Sequence, residues 1–115
     1  MKIRMSVEGL ELTGELEKYA SAKLRRLGKF VPRRLRAGAA VEVQFSLHKR
    51  KGAKYNTCGI SFMLDGTKLK AEETTLHMYT ALDVAAVHIE HQLKDYARNN
   101  LRRRLRTRLR RFFRR

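Results

Sequence analysis

Two runs near the middle of the chain alternate between apolar and polar residues, and they constrain the fold more than any other feature. A period of two is typical of a β-strand with one face buried and the other in water. The sequence therefore predicts a sheet whose apolar face is covered by other elements. The apolar positions of the two runs are Ala39, Val41, Val43, Phe45 and Leu47, then Cys58, Ile60, Phe62 and Leu64.

Two further strands are indicated beside these runs. Ile3, Met5 and Val7 alternate with polar residues and predict a short first strand. Asp65 and Gly66 form a two-residue hairpin signal, after which Leu69 and Ala71 continue the alternation into a fourth strand. Between the two long runs, residues 48–54 are predicted to be a basic connection.

Helical spacing appears in two places. Thr13 is a candidate N-cap, and the first helix is expected to end between Gly28 and Val31, ahead of Pro32. A second stripe, with spacings of 3, 4, 3, 4 and 3, should cover the sheet beside the first helix. The apolar positions of the first helix are Leu16, Ala20, Leu24, Leu27 and Val31, and those of the second are Tyr79, Leu82, Ala86, Ile89, Leu93 and Tyr96.

These elements predict an α+β domain with the order β-α-β-β-β-α, in which both helices lie on one face of a four-stranded sheet. The first two strands, joined through a helix, are candidates for parallel neighbours. We expect residues 1–98 to form the domain and residues 99–115 an arginine-rich tail. Asn99 and Asn100 are a weak helix stop, but leucines recur beyond them, so the pattern leaves open whether the tail is helical or disordered.

Positive charge dominates the chain and is densest at its end. Nine of the last 14 residues are arginine and none is acidic, and the whole chain carries a formal net charge of +16. The remaining 101 residues still hold 18 Lys+Arg against 11 Asp+Glu. Arginine stays charged at physiological pH and pairs with two phosphate oxygens at once, so the charge pattern predicts a nucleic-acid partner.

The candidate phosphate contacts fall into three basic clusters. Aromatic residues are few and most are expected in the core, so recognition should rely on phosphates and on the shape of structured, double-stranded RNA. The clusters are the first helix and the loop after it, with Lys18, Lys23, Arg25, Arg26, Lys29, Arg33 and Arg34; the hairpin, with Lys49, Arg50, Lys51 and Lys54; and the second helix with the tail, with Lys94, Arg98, Arg102, Arg103, Arg104, Arg106, Arg108, Arg110 and Arg111.

Catalysis and metal binding have little support in the sequence. Cys58 falls at an inward strand position, where a buried thiol is the ordinary interpretation. His88, His91 and Asp95 share a helical face, but nearby lysine and arginine disfavour a cation. We expect neither an enzyme nor a cofactor. A single cysteine and the lack of a signal peptide in the first residues favour a cytoplasmic location.

Several segments, in order, resemble the ribosome hibernation factors, the group of hibernation promoting factor and ribosome-associated inhibitor A (protein Y). Met78 to Asp83 reads MYTALD and is similar to the family's M-Y-A-A-I-D. Lys23 to Phe30 reads KLRRLGKF and is similar to its K-L-x-R-L-x-K-Y/F. Together with Gln92, Leu93 and Lys94, the resemblance covers about residues 1–98.

The resemblance implies a fold similar to a double-stranded-RNA-binding domain and binding to 16S rRNA of the small ribosomal subunit near the decoding centre. There the protein would block the mRNA and tRNA sites and inhibit translation under stress. Long members of the family carry a second, dimerising domain, so this chain resembles the short forms. Its tail matches no short-form tail, which leaves open whether it promotes or prevents ribosome dimerisation.

Two alternatives to hibernation remain open at this stage. A permanently bound ribosomal or assembly protein would show the same basic character. An interaction protein could instead use its basic amphipathic tail on anionic lipid or an acidic partner. The basic body and the family motifs make a membrane the less favoured partner, and no small-molecule substrate is expected.

Overall fold

Four strands and two helices follow one another in the order predicted from the sequence. The computed structural model describes residues 1–113. Two short 3₁₀ turns, Gly28–Phe30 and Arg33–Leu35, occupy the connection after the first helix. The elements are β1 (Lys2–Glu8), α1 (Gly14–Leu27), β2 (Ala40–Arg50), β3 (Ala53–Leu64), β4 (Thr67–Thr75) and α2 (Met78–Phe113).

The four strands form one mixed sheet in the order β1-β2-β3-β4. β1 pairs in parallel with β2, from Lys2 opposite Ala40 to Glu8 opposite Ser46, as the helical crossover predicted. The other pairs are antiparallel. Asp65 and Gly66 join β3 to β4 with φ values of 39° and 82°, the left-handed conformation of a type I′ hairpin turn.

The hairpin between β2 and β3 differs from the expectation of a basic loop over residues 48–54. The strands continue to Arg50 and resume at Ala53, so the turn consists of Lys51 and Gly52, whose φ values are 47° and 80°. β1 pairs with β2 only as far as Ser46, and β4 meets β3 only from Asn56 onward. Residues 47–55, the hairpin tip, therefore extend beyond the neighbouring strands.

α1 begins and ends where its sequence signals predict. The backbone N–H of Leu16 donates to the Thr13 hydroxyl at 3.2 Å, which caps the first turn. Arg25 and Arg26 lie in the last turn, where the helix dipole favours cations. Pro32 then prevents the helix from continuing.

The core lies between the inner face of the sheet and the two helices. α2 covers β3 and β4, and α1 lies beside α2 on the side toward β1. Phe45 and Phe62 are the largest buried side chains, and Cys58 is buried among them. The opposite face of the sheet is open to solvent and carries residues such as Lys2, Met63, Lys68 and Lys70.

α2 differs from its predicted stripe at both ends. Tyr79 was expected on the sheet but is 41% exposed, and Met78, Ala81 and Ala85 are buried instead. The weak stop at Asn99 and Asn100 does not end the helix, which continues to Phe113. Neither glycine nor proline interrupts it, and the modest helix penalty of asparagine is too small to break it alone. Arg114 and Arg115, the end of the predicted tail, lie outside the described residues.

Candidate nucleic-acid interface

The seam between α1 and α2 is held by a small polar and aromatic network. Asp83 of α2 accepts a hydrogen bond from the Tyr19 hydroxyl at 2.7 Å and pairs with the Lys23 ammonium at 2.9 Å. The Tyr19 ring meets the Tyr79 ring edge to face, with centroids 5.0 Å apart. These contacts explain why Tyr79 lies outside the sheet-facing stripe: its ring packs against α1.

The network keeps its charges at neutral pH. The hydrogen bond to Asp83 raises the pKa of Lys23 and also that of Tyr19. Partial burial alone would raise the pKa of Asp83, but hydrogen bonds from Tyr19 and Lys23, with the lysine charge, hold that pKa below its usual value. Lys23 is therefore a charged group whose field is partly neutralised within the protein.

A second contact brings a cation from the turn after α1 and a cation from α2 together at Phe30. The Lys29 ammonium lies 5.2 Å from the centre of the Phe30 ring, and the Lys94 ammonium lies 5.0 Å from it. The aromatic ring offsets part of the repulsion that two neighbouring ammonium groups would otherwise feel. One predicted contact from the turn after α1 and one from α2 therefore lie at the same ring, and their contact with phosphate stays a prediction.

The loop after α1 adds arginines next to this pair. Arg34 donates to the Asn100 side chain of α2 at 2.6 Å. Arg36 donates to the carbonyls of Val31 and Lys29, each at 3.0 Å, and so fixes the turn. Arg33 lines a hollow between the loop and α2, together with Lys29, Arg36 and Arg104. The loop, α1 and α2 therefore present one basic area at the end of the body from which α2 leaves.

Acidic residues interrupt this area. Asp83 and Glu90 line the groove between the helices along with Lys23, Arg26 and Lys29. Glu90 also pairs with Lys94 at 3.5 Å, and Asp95 lies 3.7 Å from Arg98. Lys18, Arg25 and Arg26 are exposed and form none of the ion pairs found within residues 1–113. Arg25 and Arg26 are the α1 cations most available to a phosphate.

The hairpin cluster lies apart from the helix clusters. α2 begins near Asn56, whose side-chain amide donates to the Leu76 carbonyl at 3.0 Å, and runs away from the hairpin tip. Lys49, Arg50, Lys51 and Lys54 therefore lie at one end of the molecule, and the Phe30 area lies at the other. A polyanion would have to run along the molecule to touch both.

The tail is a helix that projects from the body. Leu93 is the last buried residue of α2, and Tyr96 is the last that packs against the core. At 1.5 Å per residue, the 17 residues from 97 to 113 extend about 25 Å further, and the molecule is 69 Å long. All residues from 101 to 113 are exposed. The predicted contacts on this segment are Arg102, Arg103, Arg104, Arg106, Arg108, Arg110 and Arg111.

The candidate residues for catalysis or metal binding lie in positions where they contribute to the structure. Burial raises the pKa of Cys58 to about 12, so its thiol stays protonated and unreactive at neutral pH. The His88 Nε2 atom lies 3.0 Å from a carboxylate oxygen of Glu73 in β4, so its partner is a residue of the sheet. Within residues 1–113, no three His, Cys, Asp or Glu side chains are grouped so that they could hold a metal ion. No helix in that range is long and apolar enough to cross a membrane.

The seam network makes a testable prediction about the binding surface. We expect Asp83→Asn to tighten binding to structured RNA about 3- to 10-fold and to steepen the salt dependence by about one unit, because Lys23 loses its internal counter-charge. Stability should fall by less than about 1 kcal/mol, since both side chains of the pair are partly exposed to solvent and screened by it. Filter binding across a salt series measures both affinity and slope.

Glu42→Gln is the matched control, because it removes the same charge from the open face of the sheet. An equal gain from both variants would mean that only net charge matters. Weaker binding by Asp83→Asn would mean that the network positions the helices for RNA.

The network of Asp83, Tyr19 and Tyr79 was not predicted from the sequence. The signal was present, because Tyr79 and Asp83 lie within the MYTALD segment and Lys23 begins the KLRRLGKF segment. The two motifs that carry the family resemblance thus meet across the helix seam, and the second also supplies Lys29 and Phe30.

Comparisons with a family model and with solved structures agree with the fold described above. The family model described as Sigma 54 modulation protein / S30EA ribosomal protein matches residues 3–101. The solved structure of a ribosomal subunit interface protein from Coxiella burnetii is similar with a TM-score of 0.69 and 22% identity, over 84% of this chain and 98% of that one. The protein Y N-terminal domain of Thermus thermophilus is similar with a TM-score of 0.65 and 24% identity, over 84% and 99%.

At these identities, the two solved structures establish the shared fold. No curated protein sequence matches the chain significantly. The family match ends at residue 101. It therefore covers the sheet, α1 and the part of α2 that packs on the sheet, and it stops where the projecting part of α2 begins.

Proposed function

The chain belongs to the Sigma 54 modulation protein / S30EA ribosomal protein family, and we propose that within this family it acts as a ribosome hibernation factor on the small subunit. The family is ribosome-associated and non-enzymatic. In this proposal the protein binds 16S rRNA near the decoding centre in the cytoplasm, blocks the mRNA and tRNA sites, and inhibits translation under stress. No cofactor takes part.

The convergence of cations from three elements carries the proposal. Lys29 in the turn after α1 and Lys94 of α2 flank the Phe30 ring, and Lys29 also lines a hollow with Arg33 of the following loop. Arg25 and Arg26 extend this area along α1, and the tail arginines extend it past the body. This array of fixed cations, although interrupted where Asp83, Glu90 and Asp95 pair with a lysine or arginine, matches the repeating phosphates of folded RNA.

Contacts to phosphates would hold the protein without reading base sequence. Tyr19 and Tyr79 pack against each other, and Phe30 is flanked by two lysines, so these rings are engaged within the protein. Binding through shape and charge suits structured rRNA, whose phosphates lie at fixed positions. In this proposal residues 1–98 form the ribosome-binding domain, and residues 99–115 add affinity.

The hairpin tip would make a separate contact. Its lysines and arginine lie on a two-stranded projection at the other end of the body. A protein anchored at both ends is harder to displace by mRNA or tRNA than one held at a single point. The candidate tip contacts are Lys49, Arg50, Lys51 and Lys54.

Competition on purified ribosomes tests the proposal directly. We expect the protein to co-sediment with small subunits and whole ribosomes, to protect 16S rRNA around the decoding region, and to lower binding of mRNA and initiator tRNA as it approaches saturation. Undisturbed mRNA and tRNA binding at saturation would rule out this mechanism. Equal ribosome occupancy in growing and stationary cells would favour a permanently bound ribosomal or assembly protein instead.

A further inference from the structure

The projecting part of α2, residues 101–113, is amphipathic, and we refer to it as the tail helix. Leucines and a phenylalanine recur at spacings of 4, 4 and 3, which places them on one side of the helix. Each is exposed by about half or more, and Phe113 lies beside them at the end. The exposed fractions are 57% for Leu101, 48% for Leu105, 56% for Leu109, 75% for Phe112 and 76% for Phe113. Leu101 at its start lines the hollow beside the loop after α1, but every residue of the apolar side stays exposed, which is unusual on a projecting element.

The apolar side continues a particular side of the body. Lys94 and Arg98 precede Leu101 at spacings of 4 and 3, so the three residues lie on the same side of α2. Asp83, which faces α1, lies on that side as well. The leucines therefore point in the same direction as the basic surface formed by the helix pair.

Arginines occupy the rest of the tail helix. At 100° per residue, Arg102 and Arg108 flank the leucines, while Arg103 and Arg110 lie on the opposite side. No acidic residue occurs after Asp95. The occupant of the apolar side must therefore offer an apolar region surrounded by negative charge.

Three potential occupants do not meet these requirements. An RNA phosphate surface would satisfy the arginines but leave the leucines and Phe112 in water. A second copy of the chain would cover the leucines but bring Arg102 and Arg108 against arginines of the other helix, with no acid to pair them. A groove in an acidic protein would reach the flanking arginines but not those on the far side.

We propose that the tail helix binds the surface of a membrane rich in anionic lipid. Leucine and phenylalanine would enter the boundary between head groups and acyl chains, and the long arginine side chains would reach the lipid phosphates. A diffuse negative potential attracts arginines on every side of the helix, as well as Lys94 and Arg98 on the same side of the body. This activity is separate from ribosome binding and rests on the apolar side chains, which phosphate contacts do not use.

The geometry of α2 suits a helix that lies on the membrane surface. The apolar side is only 13 residues long, far below the length of a membrane span. The tail helix projects about 25 Å from the last core contact, so a flat surface can approach it without first meeting the sheet. The helix would lie parallel to the membrane plane, with the body held beside the surface.

Vesicle flotation of the full-length, ribonuclease-treated protein tests this proposal. We expect binding to vesicles of phosphatidylcholine with about one-third phosphatidylglycerol, and little binding to phosphatidylcholine alone. The variant Leu105→Gln/Leu109→Gln keeps every charge and uses a good helix former. It should bind the anionic vesicles more weakly by on the order of ten-fold or more, with an unchanged helical circular dichroism signal.

Met63→Gln/Leu76→Gln is the matched control, because it removes two exposed apolar side chains from the body and should bind vesicles like the wild type. Equal binding to neutral and anionic vesicles, or wild-type binding by Leu105→Gln/Leu109→Gln, would overturn the proposal. Ribosome co-sedimentation of this variant should match the wild type. If ribosome binding is lost while vesicle binding is kept, the apolar side contacts a ribosomal protein and the membrane proposal is wrong.

Discussion

Deletion of residues 101–115 is expected to weaken ribosome binding strongly while leaving the folded domain intact. The segment carries nine arginines and no acid. If about four of them release counterions from rRNA, the salt slope should fall by about 3 to 4 units and affinity at 100 mM salt by on the order of 10²–10³. Co-sedimentation across a salt series measures both quantities.

The stability of the shortened protein should change little. No residue from 101 to 113 is buried, and the core contacts of α2 end at Tyr96. The thermal midpoint should therefore stay within a few degrees, and only the helical signal of the deleted residues should be lost. A shortened protein that binds ribosomes as tightly as the full chain, at the same slope, would remove the tail from the rRNA interface.

A companion variant tests whether the charge of the tail or its length determines ribosome binding. Arg103→Gln/Arg106→Gln/Arg108→Gln/Arg110→Gln keeps the helix and its leucines but removes four cations. We expect it to reproduce most of the loss in slope. If it binds like the wild type while the deletion does not, apolar contacts rather than phosphates hold the tail.

Charge reversal on α1 should have the second large effect. Arg25→Glu/Arg26→Glu removes two exposed cations from the helix face and adds two anions facing RNA. We expect ribosome affinity to fall roughly 100-fold and the salt slope by about 2 units. Circular dichroism should remain close to wild type, because both side chains lie off the buried stripe of α1, and stability should fall by about 1 kcal/mol, because the helix dipole disfavours glutamate in the last turn.

Lys68→Glu/Lys70→Glu is the control for this variant. It makes the same change in net charge on the open face of the sheet, away from the helix pair. A much smaller loss is expected from it. Equal losses from the two variants would show that the body binds RNA through its overall field and has no preferred face.

The strands and the core were predictable because their signal is local. Phe45, Cys58 and Phe62 alternate with polar neighbours, and alternation alone decides which side of a strand is buried. Thr13 as a cap and Asp65 with Gly66 as a turn were likewise set by short-range chemistry. These predictions were confirmed.

The features that were not predicted from the sequence depend on two elements at once. Tyr79 fits a sheet-facing stripe by spacing, but its ring packs against Tyr19 of α1. Lys23 reads as an exposed cation until α2 brings Asp83 within 2.9 Å. Residues 48–54 read as a basic loop, yet β2 and β3 pair along most of them. The rRNA contacts themselves remain predictions.

Because α2 is uninterrupted, the packing of its first part on the body also fixes the direction in which the side chains of the tail point. A helix turns by about 100° and rises 1.5 Å with each residue, so the core sets the direction in which Leu101 and every later side chain points. One residue inserted after Arg98 would leave composition and charge balance almost unaltered. It would nevertheless turn the leucines about a quarter of the circumference away from Lys94. The direction of every tail side chain is therefore set where Leu93 lies against the sheet, about 30 Å from Phe113 along the helix.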